Sequence, residues 1–427
     1  MTAETQSHTA APHSAQSEME HVCRFCREPL QHLVVDLGLS PLCENVIEPE
    51  NLQRAESFFP LQAYVCHKCW LIQVDEYVGG EDIFSHYAYF SSMSSSWLAH
   101  AANYADMITE RLQLDANSQV VELASNDGYL LKNFLQKGIP CLGIEPATNV
   151  AQVAIDQGIP VVNQFFGVET AQTVVADGIR ADLMIANNVL AHVPDLNDFV
   201  AGIQVLLADE GVLTVEFPHS LNMIELNQFD TIYQEHYCYL GLIPLCQVFE
   251  HHGMRIFDVE EIPTHGGSLR IYVCQQTSDR DVSDAVREIL QREEDRGLTQ
   301  IATYQAFARR VEETKYRLLE FLIQAKRAGK HVAGYGAPGK GNTLLNYCGI
   351  REDLLSYTVD RNPMKQGAYL PGSRIPVYAP SKIQETRPDY VLILPWNLRD
   401  EIAAQMEGIR EWGGQFVVPV PELEIIK

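Results

Sequence analysis

The sequence predicts an α/β protein in which two doubly wound, Rossmann-like units follow a small cysteine-rich domain. Three observations support this fold class. Two C-x2-C pairs lie near the N-terminus, and a pattern of apolar strand, small-residue turn and helix occurs at 118–138 and again at 331–350. In doubly wound folds, such a turn joins a parallel strand to a helix that covers the sheet.

The composition is that of a globular protein with a strong acidic excess. Hydrophobic residues make up 46% and charged residues 20% of the 427 residues, and a usual size of about 150 residues per domain implies several domains. The 31 basic residues against 56 acidic ones give a net charge of -25, which leaves no basic field for nucleic acid. Without a signal peptide or an apolar run of about 18 residues, we expect no membrane association and a cytoplasmic protein with reduced cysteines.

The two cysteine pairs predict a structural zinc site. CRFC and CHKC each place two thiolates on one tight turn, and four thiolates complete a tetrahedral zinc without an open position. The alternative is a set of scattered reduced cysteines, which the paired spacing disfavours. Cys43, between the pairs, is interpreted as a core residue. The predicted zinc ligands are Cys23, Cys26, Cys66 and Cys69.

The stretch 118–145 predicts the nucleotide-binding half of the first doubly wound unit. A strand, a turn and a helix are followed by a second strand that ends in Glu145, an acid placed to accept hydrogen bonds from two ribose hydroxyls. Only Gly128 stands where a dinucleotide fingerprint requires three glycines, so NAD is disfavoured. S-adenosylmethionine has no pyrophosphate and demands a less close approach of the backbone. The candidate cofactor residues here are Glu122, Ala124, Asn126, Gly128 and Glu145.

The next strands strengthen the case for S-adenosylmethionine. The strand in 181–199 ends in Asn187 and Asn188, and His192 follows in a loop, as class I methyltransferases often arrange the strand beneath the cofactor. A fifth strand (211–218), a helix (242–253) and two further strands complete a class I sheet. The segment 219–240, which contains TIYQEHYCYL, is therefore predicted to lie at the rim of the cofactor cleft.

The C-terminal part predicts a second ligand crevice. A charged helical segment, interpreted as a solvated connector, leads to a strand and the turn GAPGKG, whose backbone N–H groups and lysine suit a diphosphate. The alternative is a tight turn that only packs. Two later strands also end in polar residues. The candidate substrate-binding residues are Gly336, Ala337, Lys340, Gly341, Asn342, Asp360, Trp396 and Asn397.

These patterns divide the chain into five segments. The first segment consists of small and polar residues with almost no large apolar side chains. Their burial cannot offset the loss of conformational entropy on ordering, so we expect this segment to be disordered. The segments are the tail (1–20), the zinc-binding domain (21–97), the S-adenosylmethionine domain (98–275), the helical connector (276–330) and the C-terminal α/β domain (331–427).

The whole set of motifs resembles the sugar C-methyltransferases that act on nucleotide-linked deoxysugars. The resemblance rests on the cysteine pairs and, in order, on VELASNDGYLL, ANNVLAHVPD, YQEHYCYL, HGGSLRIYV and YGAPGKGNTLLNYCGI. It implies a zinc-stabilised N-terminal domain, a class I methyltransferase domain and a C-terminal domain that binds a nucleotide-linked sugar. The implied reaction is C-methylation of a nucleotide-linked 4-keto-6-deoxysugar, typically at C-3. The implied nucleotide is dTDP first, with GDP or CDP as alternatives.

The resemblance also implies a catalytic group made of Tyr87, His192, Tyr233, Glu235 and His236. A carbon beside a ketone becomes a nucleophile only after it loses a proton, so a base and a partner for the enolate oxygen are needed. His236 is the first choice of base, although His192 stays open. We expect Glu235 or another carboxylate to orient an imidazole or to raise its basicity. Tyr233 or Tyr87 is expected to donate to the enolate oxygen, a task that His192 can share. Tyr237, Cys238 and Tyr239 are interpreted as packing residues.

Three other functions are alternatives to sugar C-methylation. An NAD-dependent nucleotide-sugar oxidoreductase would need the glycine-rich fingerprint, which SNDG does not supply. A zinc-containing nucleic-acid-binding protein would need a basic face. A methyltransferase that acts on an oxygen or nitrogen atom differs from the leading hypothesis only through the family resemblance.

Overall fold

The computed structural model describes residues 21–80, 83, 91–93 and 95–426. The predicted tail, 1–20, and the predicted catalytic residue Tyr87 lie outside these residues. None of the helices in the described ranges is both long enough and apolar enough to cross a membrane.

The N-terminal part forms a four-stranded antiparallel sheet with the order β1-β2-β3-β9. Its last strand comes from the TIYQEHYCYL segment, far along the chain, where Cys238 pairs with Gln73 of β3. The strands are β1 (His32–Ser40), β2 (Phe59–Val65), β3 (Ile72–Val74) and β9 (Cys238–Tyr239).

The four predicted zinc ligands meet beside this sheet. The Sγ atoms of Cys23, Cys26, Cys66 and Cys69 all lie within 4.8 Å of one another, which is the arrangement of a tetrahedral thiolate site. Gln73 donates a hydrogen bond of 3.3 Å from Nε2 to the Sγ of Cys23, so β3 is tied to the metal site. The donor set fits zinc, and the zinc prediction is confirmed. The zinc is structural because all four ligand positions come from the protein.

The central part forms a seven-stranded sheet with the order β10-β11-β8-β7-β4-β5-β6. All neighbours are parallel except β11, which runs antiparallel to both β8 and β10. This is the class I order predicted from the sequence. The strands are β4 (Val120–Leu123), β5 (Cys141–Ile144), β6 (Val161–Val162), β7 (Ala181–Asn187), β8 (Leu207–Pro218), β10 (Met254–Ile262) and β11 (Ser268–Gln275).

Helices cover both faces of this sheet because its inner strands are apolar and buried on both sides. The chain reverses its direction of winding between β4 and β7, so the carboxyl ends of these two strands form a crevice. The helices are α1 (Ser95–Leu112), α2 (Leu131–Gln136), α3 (Thr148–Asp156), α4 (Val168–Ala176), α5 (Leu196–Leu206), α6 (Ser220–Glu225) and α7 (Leu242–His251).

The C-terminal part forms a second doubly wound sheet with the order β14-β13-β12-β15-β16-β17. Only the edge strand β17 is antiparallel to its neighbour. The strands are β12 (Val332–Tyr335), β13 (Thr358–Val359), β14 (Val377–Tyr378), β15 (Tyr390–Ile393), β16 (Gln415–Val418) and β17 (Glu424–Ile426).

The winding of this second sheet reverses between β12 and β15. The turn after β12 and the loop after β15 therefore face each other across the crevice where ligands of such sheets bind. Three helices belong to this part: α10 (Gly339–Cys348), α11 (Ser381–Thr386) and α12 (Arg399–Gln405).

The predicted connector is helical but it is more than a solvated link. It contains α8 (Asp284–Asp295) and the long α9 (Ile301–Arg327). One stripe of α9 is buried: Tyr304, Phe307, Val311, Thr314, Leu318, Leu322 and Ala325. The alternating charges occupy the opposite face, and the spacing of the apolar residues places the stripe on one side of the helix.

The zinc-bearing sheet shares its core with the C-terminal part. Strand β1 packs against α9 and α10, and buried residues of β1, β2 and α9 belong to one apolar cluster with those of the second doubly wound sheet. The N-terminal domain is therefore covered by helices that follow it by more than two hundred residues in the chain.

A buried ion pair joins α8 to the central domain. The Nε2 of His219 lies 2.6 Å from Oε1 of Glu293, and both side chains are at most 1% exposed. Glu293 also accepts hydrogen bonds from the N–H groups of Leu242 and Ile243, at 2.6 and 2.8 Å, at the start of α7. A carboxylate at this position satisfies backbone donors that a helix leaves unpaired.

Replacement of Cys66 by serine should abolish zinc binding, since one of four thiolates is lost and β3 loses its anchor. Native mass spectrometry of the wild-type protein should show one zinc per chain, and the Cys66→Ser variant should show none. Cys246→Ser is the matched control because Cys246 lies on α7, outside the cluster. Full zinc occupancy in the Cys66→Ser variant would contradict the assignment of the ligands.

Removal of the Glu293 carboxylate should destabilise the protein strongly. The Glu293→Ala variant leaves the buried imidazole of His219 and two N–H groups without their acceptor, and loss of one partner of a buried pair costs about 3–5 kcal/mol. Thermal unfolding followed by circular dichroism should show a clearly lower midpoint than that of Glu294→Ala, whose side chain is exposed. Equal midpoints in the two variants would refute this role of Glu293.

Candidate active site

The turn after β4 has the backbone conformation that a close ligand requires. Ala124, Asn126 and Gly128 have positive φ angles of 54°, 51° and 77°. At Gly128 a Cβ atom would lie 2.4 Å from Cδ1 of Ile159, so this position accepts only glycine without rearrangement. At Gly128, therefore, the backbone of the turn lies at the carboxyl edge of the sheet without a side chain.

Glu145, at the end of β5, fixes this turn. It is 5% exposed, and its Oε2 and Oε1 accept hydrogen bonds from the N–H groups of Asn126 and Ala147, at 2.9 and 2.8 Å. Burial raises the pKa of Glu145, and these two hydrogen bonds oppose the rise. Each oxygen of the carboxylate keeps a further lone pair for a ligand hydroxyl.

Buried polar atoms without a hydrogen-bond partner in the described part of the chain line the crevice between β4 and β7. They are Oε2 of Glu122, Oγ of Ser125, Oδ1 of Asp127, Oδ1 of Asn187 and Nδ2 of Asn188. Burial, with the nearby carboxylates of Glu145 and Asp127, raises the pKa of Glu122 well above its usual value. Buried polar atoms that the protein itself leaves unpaired are typical of a site completed by a polar ligand. These residues fit a ligand with ribose, base and amino-acid groups, as S-adenosylmethionine has.

The segment before α1 lies on the same turn. The N–H groups of Ser91 and Ser92 donate to Oδ1 of Asn126 and Oδ2 of Asp127, at 3.0 and 3.1 Å. The segment thus covers one side of the turn that the sequence predicts to hold the cofactor.

A charged cluster at the end of β8 was not predicted from the sequence. Glu216 is fully buried and opposite Asn187 in the sheet. It accepts hydrogen bonds from Nε2 of His100 at 3.0 Å and from Nη2 of Arg270 at 3.1 Å. Burial acts to raise the pKa of Glu216, but these partners lower it below the usual range. The only sequence signal was a glutamate inside the apolar strand GVLTVEFP.

His192 and His236, which the family resemblance assigns to the catalytic group, lie side by side. The ring centroids of His192 and His236 are 4.7 Å apart. The Nδ1 of His192 lies 2.8 Å from the carbonyl oxygen of Glu235, and the Nδ1 of His236 lies 2.9 Å from that of Thr231. Because a carbonyl oxygen can only accept, each Nδ1 carries the hydrogen and each neutral ring keeps its lone pair on Nε2.

Both imidazoles are held in the neutral form. Burial lowers the pKa of His192 to about 4, against the opposing effect of its hydrogen bond to the backbone of Glu235. Burial and the neighbouring His192 lower the pKa of His236 well below its usual value. A neutral Nε2 is the form of histidine that accepts a proton.

The segment TIYQEHYCYL separates into crevice and core residues. Thr231, Tyr233 and His236 are partly exposed, whereas the other seven residues are buried. The rings of Tyr233 and His236 are 4.0 Å apart at 32°. The packing prediction is confirmed: Tyr237, Cys238 and Tyr239 are 0%, 1% and 7% exposed.

The position of the Glu235 carboxylate differs from the prediction. Its backbone carbonyl, not its side chain, orients the imidazole of His192. The carboxyl group instead accepts from the Sγ of Cys43 at 3.9 Å. Burial and the nearby Glu44 raise the pKa of Glu235 to about 7. The contact with Cys43 ties this side chain to the zinc domain.

The predicted diphosphate cradle at GAPGKG is largely filled by protein groups. The N–H of Gly339, at the start of α10, donates to Oε1 of Glu44 at 2.8 Å, and the N–H of Ala337 donates to Oδ2 of Asp360 at 2.7 Å. Lys365 balances this charge, with Nζ 2.8 Å from Oε2 of Glu44. A carboxylate of the zinc domain thus occupies the helix terminus that an anion would use.

The remaining predicted residues of this turn divide between packing and the crevice. Gly336 has φ 92° and a Cβ there would lie 2.5 Å from Cδ of Pro395, and one at Gly341 would lie 3.0 Å from Cβ of Leu394, so both glycines permit close packing. The side chain of Asn342 donates to the carbonyl of Cys43 at 2.5 Å. The two glycines therefore serve the packing of the turn, and Asn342 ties the turn to the zinc domain while its buried Oδ1 has no hydrogen-bond partner among the described residues.

Lys340, Trp396 and Asn397 meet across the switch point of the second sheet. The Nζ of Lys340 lies 2.9 Å from Oδ1 of Asn397 and 4.4 Å from the centroid of the Trp396 ring. The indole Nε1 of Trp396 donates to Oδ2 of Asp230 at 2.7 Å. Burial raises the pKa of Asp230 to about 6, and the charge of Lys340 and the indole hydrogen bond oppose this rise.

Comparisons with known families cover the three parts of the chain. Residues 23–84 match a family described as a zinc binding domain. Residues 97–259 match a methyltransferase domain family, and residues 263–421 match the family described as the C-methyltransferase C-terminal domain.

A curated relative is similar over nearly the whole chain. The chain is 37% identical to C-methyltransferase NovU of Streptomyces niveus over 404 aligned residues. The alignment covers 95% of this chain and 96% of NovU.

Solved structures match the central part. A S-adenosylmethionine-dependent methyltransferase from Clostridium acetobutylicum shows 9% identity, covers 41% of this chain and 90% of its own, and has a TM-score of 0.33. Magnesium protoporphyrin IX methyltransferase (ChlM) from Synechocystis with bound SAH shows 16% identity and a TM-score of 0.34. The match covers 42% of this chain and 84% of that protein.

The match to the C-methyltransferase C-terminal domain and the similarity to NovU favour methyl transfer to carbon over transfer to oxygen or nitrogen, and they confirm the resemblance found in the motifs. The chain belongs to the zinc-containing, S-adenosylmethionine-dependent C-methyltransferase family.

Proposed function

We propose that the protein methylates C-3 of a nucleotide-linked 4-keto-6-deoxysugar. The observation that carries the proposal is the pair His192 and His236, whose rings lie 4.7 Å apart and are each hydrogen-bonded to a backbone carbonyl oxygen through Nδ1. A carbon beside a ketone needs a base of this kind before it can accept a methyl group. The family resemblance supports the identity of the sugar and the position of the carbon.

The cofactor residues hold the methyl donor at the carboxyl edge of the first sheet. Glu145 is placed to accept from ribose hydroxyls, and the unpaired atoms of Glu122, Asn187 and Asn188 are available to the other polar groups. S-adenosylmethionine supplies a methyl group on a sulfonium, so no further activation of the donor is required. The contribution of the protein is to align the nucleophilic carbon with this methyl group.

His236 removes the proton from C-3. The carbonyl of Thr231 holds Nδ1–H, so the ring presents Nε2 and cannot rotate without losing this bond. The depressed pKa keeps the ring neutral at pH 7. His192, whose ring lies 4.7 Å from that of His236 and is held through Nδ1 in the same way, is the second candidate for the base.

Tyr233 positions the base and faces the crevice. Its ring lies against that of His236, and its backbone N–H donates to the hydroxyl oxygen of Tyr239, 3.2 Å away. A phenol at this place can donate to an oxygen of the sugar. Tyr87, outside the described residues, stays a prediction for the same task.

The nucleotide lies in the C-terminal crevice between the turn after β12 and the loop after β15. Trp396 is 7% exposed, and Lys340 and Asn397 are partly exposed beside it. Because Glu44 fills the start of α10, the diphosphate binds elsewhere in this crevice. The nucleotide is dTDP on the family resemblance, with GDP and CDP as the alternatives.

The substrate is tested with methyl-labelled S-adenosylmethionine and dTDP-, GDP- and CDP-linked 4-keto-6-deoxysugars. We expect transfer to the dTDP sugar, with the label at C-3 in the NMR spectrum of the product. Label on an oxygen, or no transfer to any of these sugars by folded, zinc-loaded protein, would overturn the proposal.

Replacement of His236 by asparagine should stop proton removal. The rate at which the C-3 hydrogen exchanges with D2O, measured with S-adenosylhomocysteine in place of the methyl donor, should fall by about 100-fold or more. This is the usual effect of losing a general base. Cofactor affinity, measured by calorimetry, should not change. His251→Asn is the control, because His251 is exposed at the end of α7.

The acid limb of wild-type kcat/KM should lie below pH 6.5, since the neutral base form of His236 persists down to its lowered pKa. If exchange survives in His236→Asn but disappears in His192→Asn, His192 is the base.

A further inference from the structure

The ammonium group of Lys340 is fixed in the crevice by three side chains. Asn397 accepts its hydrogen bond at 2.9 Å, the ring of Trp396 lies 4.4 Å away, and Asp230 holds that ring through the indole N–H. Oδ1 of Asp230 is buried and has no hydrogen-bond partner within the described ranges. A lysine side chain gains a defined position only through such contacts, since it is otherwise free to rotate.

The electrostatic surroundings of Lys340 connect it to the proposed base. Burial lowers the pKa of Lys340, and the carboxylate of Asp230 opposes this change. After burial and His192, the charges of His265 and Lys340 also contribute to lowering the pKa of His236. The geometry agrees: Asp230, which binds the Trp396 ring beside Lys340, directly precedes Thr231, whose carbonyl oxygen lies 2.9 Å from Nδ1 of His236. Consecutive residues of one loop therefore hold the surroundings of the lysine and of the imidazole.

The other role predicted for Lys340 does not fit the structure. A phosphate cradle would use the free N–H groups at the start of α10 together with the lysine. Glu44 accepts from Gly339 at that place and forms an ion pair with Lys365. A diphosphate beside this carboxylate would meet a like charge, whereas the ammonium of Lys340 points away to Trp396 and Asn397.

We propose, on the basis of the function proposed above, that Lys340 is a catalytic residue whose ammonium binds the C-4 ketone oxygen of the sugar and stabilises the enolate. The C-3–H bond breaks, its electron pair forms the C-3=C-4 double bond, and the negative charge moves to the oxygen at Lys340. The proton goes to Nε2 of His236. The enolate electrons then form the new C–C bond to the methyl carbon, whose bond to sulfur breaks with its electron pair on sulfur, and the ketone forms again. The imidazolium of His236 finally releases its proton to water.

The stabilisation acts on a charge that exists only during the reaction. A fixed donor aimed at a developing oxyanion contributes about 100-fold or more to the rate. A residue that contacts the diphosphate would instead contribute equally to binding before and during the reaction, which changes KM and not kcat.

The test is the Lys340→Met variant, studied by exchange of the C-3 hydrogen in D2O at saturating sugar and by methyl transfer. Both kcat and the exchange rate should fall by about 100-fold or more, while KM and the affinity for dTDP in calorimetry change little. Lys340→Gln serves in the same assays if the methionine variant does not fold. Lys315→Met is the matched control, because the Nζ of Lys315 lies 4.6 Å from the Tyr347 ring, outside the crevice.

The possible outcomes separate this inference from the function on which it rests. If wild-type protein exchanges the hydrogen and Lys340→Met does so at the same saturated rate, Lys340 is not the enolate partner. A loss of dTDP affinity with kcat retained would assign Lys340 to the diphosphate and overturn the inference. If wild-type protein exchanges no hydrogen in any of the nucleotide-linked ketosugars, the proposed function itself fails.

Discussion

The loop of residues 230–240 is held by all three parts of the molecule, and the geometry of the candidate active site depends on this. Cys238 pairs with Gln73 of the zinc-bearing sheet. The hydroxyl of Thr343, on α10, donates to the carbonyl of Ile232 at 3.1 Å. From the central domain, His192 donates to the carbonyl of Glu235. The base can be placed within tenths of an ångström only when such a loop has few alternative positions.

The zinc site and the Glu44 contact secure this arrangement from a distance. Zinc fixes the turns that carry β3, and β3 carries the edge strand of the loop. Glu44 binds the start of α10, and the neighbouring Cys43 contacts Glu235. The zinc-bearing sheet and the C-terminal domain share one apolar core, so a movement between them would expose buried surface. The metal is therefore structural: it holds the strand that pairs with the loop, and its four thiolates leave no open position.

The sequence predicted those features that depend on local patterns. The spacing of the cysteines predicts the zinc ligands, and the succession of strands, turns and helices predicts the first sheet. The two histidines were identified through the family resemblance. The contact of Glu44 with Gly339 could not be predicted, because the two residues are 295 positions apart and either is ordinary in its own segment. The buried stripe of α9 was obscured by abundant charges on its other face. The direction of the Glu235 side chain depends on a turn whose geometry the sequence does not specify.

If the two proposals hold, His236 acts on C-3 and Lys340 on the C-4 oxygen of one ketosugar. A crystal structure with S-adenosylhomocysteine and a dTDP-linked 4-keto-6-deoxysugar would show both contacts. We expect Nε2 of His236 within about 3–3.5 Å of C-3 and Nζ of Lys340 within hydrogen-bond distance of the C-4 oxygen. A sugar whose diphosphate contacts Lys340, with the ketone beyond the reach of both histidines, would contradict both proposals.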